Sequence, residues 1–330
     1  MGRTVSMLDP EQTESVLTDT FFRWGKERES EVKPGIKFAH YTSAQVAMDI
    51  ISSKNEDRCL WLRNAMLMND FSEIEYGQQL LRLTLTNQQL ADRLKDACNA
   101  IHIDIINAFT MLDQEVYAIK RSTYLLSLAL HKGRELHQGK LSMWRAYGGD
   151  ANVCILLNPE AFMTSQTAYD ATIAPVDYGG PSKFVEGFCS IVEAMITNRE
   201  LLRKIDPDLV KFNLKYALDV MILSTKHPGF EEENEWRIIH RAQINPVPNS
   251  PPSKIVSVNG IVQKVFYLPM KNVPEHNLEN ADINSLLFKI LIGPTPNPDL
   301  VWEGFVTLLA ENGVVNATDK VTACNIPLRR

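Results

Sequence analysis

The chain has 330 residues, 45% of them hydrophobic and 22% charged, with 34 basic against 40 acidic side chains. This composition excludes long-range disorder, collagen and extended coiled coil, and the length suffices for one large core or two smaller ones. A formal charge of −6 argues against a broad basic surface for nucleic acid, though a local groove stays open.

No run approaches the roughly 18 apolar residues of a membrane-spanning helix, so no membrane partner is expected. The first fifteen residues carry Asp9, Glu11 and Glu14 and lack an apolar stretch. No secretory signal is read there, and the cytoplasm is the expected location. Cys59, Cys98, Cys154, Cys189 and Cys324 are far apart and form no C-x-x-C pair. They read as reduced, buried thiols rather than disulfide or zinc ligands.

In chain order, residues 1–34 read as an N-terminal helical extension. Residues 36–41 and 58–63 are β-like runs, and 44–53 between them is a helix with Thr42 or Ser43 as its N-cap. Residues 74–120 contain no proline and place Leu80, Leu81, Leu83, Leu90, Leu94, Ile101, Ile105, Phe109 and Leu112 mostly at three- and four-residue steps, which predicts a helical insertion. Strands follow at 123–130 and 152–157, then helix over 183–221 interrupted near Pro207, then a strand at 235–241. Pro246, Pro248, Pro251 and Pro252 mark a loop. Asn259-Gly260 between apolar runs predicts a hairpin over 254–268. A strand at 286–292, a helix at 298–311 closed by Gly313 and a strand at 320–326 form a strand–helix–strand unit with parallel strands. The fold class is therefore α+β, one domain over 1–330 with a mixed sheet core, a helical insertion at 74–120 and a hairpin plus strand–helix–strand unit at 254–330.

Phosphate-loop, dinucleotide-fingerprint, nucleophile-elbow and H-E-x-x-H signatures are missing from the sequence. His131 and His137 flank a Lys/Gly turn and read as a solvated loop. Four segments invite a functional reading. His40 and Tyr41 end a short strand beside a capped helix start, a place that favours anionic ligands. The run 68–73 (MNDFSE) reads as a turn into a helix, capped by Asp70 or Ser72. In 142–149, Trp144, Arg145 and Tyr147 offer either a stacking surface or a core helix turn. In 226–240, strand alternation sets Glu233, Glu235 and Arg237 on one face and Trp236 and Ile238 on the other. A carboxylate at the mouth of an apolar strand needs a partner or a task.

These motifs, HYTS (40–43), LWL (60–62) with MNDFSE (68–73), SMWRAYG (142–148), KHPGFEEENEWRI (226–238) and IPLR (326–329), resemble the pattern of the domain of unknown function 2971 family. Their order also resembles, more distantly, that of ADP-ribosyltransferase folds. That second resemblance implies a split sheet and an NAD-consuming enzyme, with a toxin or phage-defence effector as its setting. It gives His40 the ribose contact and Glu235 or Glu233 the catalytic role. Tyr41, Trp144 or Tyr147 would supply the stacking ring, with Arg145 beside it and Ser127 as a middle serine. NAD would be the substrate, and a protein side chain, nucleic acid or water the acceptor. Two other readings stand beside it. One is a non-catalytic module that binds a nucleotide or a nucleic-acid end. The other is a metal-dependent nuclease or phosphodiesterase built on Asp70, Glu73, Glu233 and Glu235.

Overall fold

Ten strands form one open, mixed sheet: β1 (Lys37–Ser43), β2 (Cys59–Asn64), β3 (Thr123–His131), β4 (Asn152–Leu157), β5 (Thr172–Pro175), β6 (Glu235–Arg241), β7 (Ser253–Val258), β8 (Ile261–Pro269), β9 (Leu287–Ile292) and β10 (Val321–Ala323). The computed structural model describes residues 8–326 apart from 53–57, 68–71, 105–115, 148–151, 165–168, 170, 243–249, 259 and 277. Asn69, Asp70, Asn259 and most of the closing IPLR motif lie outside the described residues. The α+β class with a mixed sheet is as the sequence predicts. Among the described residues no helix is long and apolar enough to cross a membrane.

By proximity the chain divides into two compact units. One comprises Met1–Ser30, Ala65–Ser122 and Ala174–Phe230, and is helical. Its longer helices are Pro10–Phe21, Ser72–Thr86, Gln88–Ala100, Gly180–Thr197 and Pro207–Leu223. Gly77 lets the second of these lie directly on the last, because a Cβ there would strike the backbone of Ile222. Asp206 caps the last helix through the amides of Asp208 and Leu209.

The other unit, Glu31–Asn64, Thr123–Ile173 and Glu231–Arg330, carries the sheet. The strand order is β10-β9-β4-β1-β3-β2-β8-β7, with β6 pairing to β3 and β5. β9 and β10 are parallel, as a strand–helix–strand connection requires. β1 is antiparallel to both β3 and β4, and β6 is antiparallel to β3. Alternation sends Phe38, Leu62, Leu126, Leu128, Ile155, Trp236 and Ile238 into the main core. The helices Ala44–Ile51 and Pro298–Glu311 cover that face through Ala47, Ile51, Phe305 and Leu309. Ser43 caps the first of them by accepting from the amide of Val46 at 3.2 Å.

The sheet forks along β3. β6 runs the length of one edge, from Thr123↔Arg241 to Ala129↔Glu235. The opposite edge is shared: β1 pairs with residues 129–131 and β2 with Tyr124 and Leu125. The Leu130 amide bonds the Asn234 carbonyl, so the even residues of β3 face β6 and the odd ones face the shared edge. Ser127 therefore presents its peptide group at the fork, between the end of β1 pairing and the start of β2 pairing.

Candidate functional site

The fork separates two faces with different chemistry. Phe38 and Ile155 belong to the main core, and His40, which pairs with Ile155, shares their face by alternation. Its imidazole hydrogen-bonds the Ser127 backbone at the fork, while Nδ1 is buried with no partner among the described residues. Burial lowers its pKa, and the Ser127 bond opposes that shift. Tyr41, Ala129 and Cys154 lie on the other face, in a smaller cluster with Trp144. Ser127, Glu235 and Arg237 share that second face by strand alternation.

Glu235 and Arg237 are bound to each other. Arg237 donates from Nε to Oε1 at 2.8 Å and from Nη2 to Oε2 at 3.0 Å. The side chains are 6% and 1% exposed, so this is a bidentate ion pair taken out of water. Ser127 pairs with Arg237 across the ladder, and its buried Oγ has no hydrogen-bond partner among the described residues.

Nearby in the same unit is a network on Tyr41. The Tyr41 hydroxyl accepts from the Lys140 amide at 2.7 Å and lies 3.1 Å from His131 Nε2. The Lys140 ammonium, itself buried, donates to the carbonyls of Glu232 and Glu233 at 3.0 and 3.1 Å. It thereby ties the turn ahead of β6 to the segment after β3. Burial, and then the charge of Lys140, push the His131 pKa down to about 3. Burial also lowers Lys140 and raises Tyr41 and Cys154.

Several sequence expectations change in this light. His131 is fully buried on Tyr41, not solvated; only His137 is exposed. Glu233 does not share the alternation of Glu235. It ends the 3-10 turn Pro228–Glu233, and Asn234, at φ +47°, breaks the strand geometry between them. Trp144 is a core residue at 1% exposure. Its indole donates to the Gln138 carbonyl at 2.8 Å and packs edge-on to Tyr41. It also fills the space that a Cβ would need at Gly139 or Gly293. No face of it is left for a ligand ring. Tyr147 is 41% exposed and stacked on Tyr41, and Arg145 beside it is exposed.

The structure thus gathers Tyr41, Ser127 and Glu235 on one face, with Tyr147 stacked on Tyr41, and turns His40 to the other. Two features were not read from sequence. The Glu235–Arg237 bond had a signal, since acid and base two apart on a strand share a face. Lys140 had none, because its partners lie 92 and 93 residues away. Among the described residues no group of three His, Cys, Asp or Glu side chains could hold a metal ion. None of the five cysteines is in a disulfide.

Residues 143–238 match the model of a family described as Protein of unknown function (DUF2971), the family that the motifs resemble. The matched segment includes Trp144, Tyr147, Glu233, Glu235 and Arg237. No curated protein and no solved structure matches the chain.

Proposed function

We propose that the face carrying Ser127, Glu235 and Arg237 binds a nucleotide of the NAD type. The observation that carries this reading is the Glu235–Arg237 ion pair, buried on the same face as a serine hydroxyl that has no partner among the described residues. A buried ion pair is rarely better for stability than apolar residues of the same volume, and charge held out of water is concentrated at functional sites. The pieces fit a nucleotide. Carboxylate oxygens held by an arginine retain lone pairs for ribose hydroxyls. Tyr147, 41% exposed, is an aromatic ring of the kind that supports a flat heterocycle.

A second reading makes the protein an NAD-consuming, ADP-ribosyltransferase-like enzyme. It is favoured by the anchoring of Glu235 through both oxygens, which fixes the carboxylate before substrate arrives. Cleaving the nicotinamide–ribose bond develops an oxocarbenium-like centre, and a fixed anion stabilises it. Water, a protein side chain or a nucleic acid then captures the ribose. In this version His40 acts through the Ser127 backbone and not on the sugar. A toxin or phage-defence role would follow from depletion of the host's NAD.

The test is a calorimetric titration of the purified protein with NAD, followed by an assay for released nicotinamide. Saturable binding without release supports a binding module. Release that falls by about 10²–10³-fold in Glu235→Gln, with NAD affinity retained, supports the enzyme. No detectable NAD binding at millimolar ligand overturns both.

A further inference from the structure

We propose that Arg63 and Ser127 form a phosphate subsite beside Arg237, taking a phosphate of the nucleotide bound on this face; the assignment rests on the nucleotide reading above. β2 alternates as β3 does. Leu60 and Leu62 point into the main core, so Arg63 lies on the face opposite to them. It pairs with Leu125, and Ser127 is two residues further along the same face of β3. Diagonal neighbours of this kind lie about 7–8 Å apart between backbones, within reach of an arginine side chain.

Arg63 Nε is buried and has no hydrogen-bond partner among the described residues. The Ser127 hydroxyl, on the same face, is in the same state. Two buried donors without partners on one face are uncommon in a folded protein, and each marks a place where something polar is missing. Arg237 flanks Ser127 from the other side, but its charge is met by Glu235. The charge that Arg63 brings has no such counterion among the described residues.

The chemistry of the two donors selects the ligand. A guanidinium offers its Nε–H and an Nη–H in one plane, matched to two oxygens of a single oxyanion. The serine hydroxyl adds a third donor from a different strand, which suits the tetrahedral oxygens of a phosphate better than a planar carboxylate. A lysine at position 63 would keep the charge and lose the paired geometry.

The experiment compares NAD, nicotinamide riboside and inorganic pyrophosphate as calorimetric ligands for the wild-type protein, Arg63→Met and Arg63→Lys, with thermal melts as the control for folding. Arg63→Met is expected to weaken NAD by about tenfold or more while riboside affinity stays within about twofold, and Arg63→Lys to fall between. Equal NAD affinity in wild type and Arg63→Met, or equal loss of NAD and riboside, overturns the subsite. Should Arg63→Met not fold, an Arg63→Lys protein that binds NAD as wild type does overturns it as well. Arg63-dependent binding of pyrophosphate without any binding of NAD or riboside keeps the subsite and removes the nucleotide reading.

Discussion

Tyr41 joins β1 to the segment that carries Lys140. Its hydroxyl is shared between the Lys140 amide and His131, and all three groups are buried. Tyr41→Phe keeps the ring against Trp144 but strands the amide and one imidazole nitrogen. The expected cost is about 1–3 kcal/mol in urea unfolding; a variant as stable as wild type would show that the network holds nothing together. His131 makes a separate prediction. Its folded pKa of about 3 lies below the ordinary histidine value of 6.5, so acid protonates the unfolded chain first. Its contribution is complete above pH 6.5 and is lost as pH falls from there toward 3. His40, lowered by burial as well, acts in the same direction. The wild-type protein is therefore expected to lose thermal stability steadily between pH 6.5 and 4.5, and His131→Gln to lose it with a shallower slope. Parallel slopes would contradict the assignment.

β6 is the element on which the candidate site depends, and its register was legible in the sequence. E-W-R-I-I alternates, and the observed strand Glu235–Arg241 divides as that pattern requires, Trp236 and Ile238 into the core and Glu235 and Arg237 away from it. The helix start after Ser43, the hairpin of β7 and β8 and the β9–helix–β10 unit were equally plain, since each rests on a local cap, turn or period. What local pattern cannot supply is pairing across the chain. Nothing in residues 37–43, 59–64 or 123–131 announces that β1 and β2 share one edge of β3. That single fact of order decides that His40 reaches the Ser127 backbone while Glu235 faces away from it. Trp144 shows the same limit at close range. S-M-W-R-A-Y permits a stacking ring or a core helix turn, and only the positions of Gly139 and Gly293 against the indole decide for the core.

At the scale of the molecule, the sheet-bearing unit is drawn from three separate stretches of chain, and so is the helical unit. Composition and hydrophobic period fixed the class and most element boundaries. They carried no information about which stretches assemble, because assembly depends on contacts between residues far apart in the chain, such as Arg63 with Leu125 and Cys59 with Pro269. The candidate face is a product of that assembly: Ser127 and Tyr147 come from one of those stretches and Glu235 from another.

The most direct test of a ligand-binding face uses Ser127→Ala, read by thermal melting and by NAD titration on the same sample. The hydroxyl is buried and has no partner among the described residues, so its removal should leave the melting temperature unchanged or raise it. Loss of a hydrogen bond to the ligand should at the same time weaken NAD binding by about five- to tenfold. A variant that binds NAD as tightly as wild type, or one that loses stability and affinity together, would contradict the account.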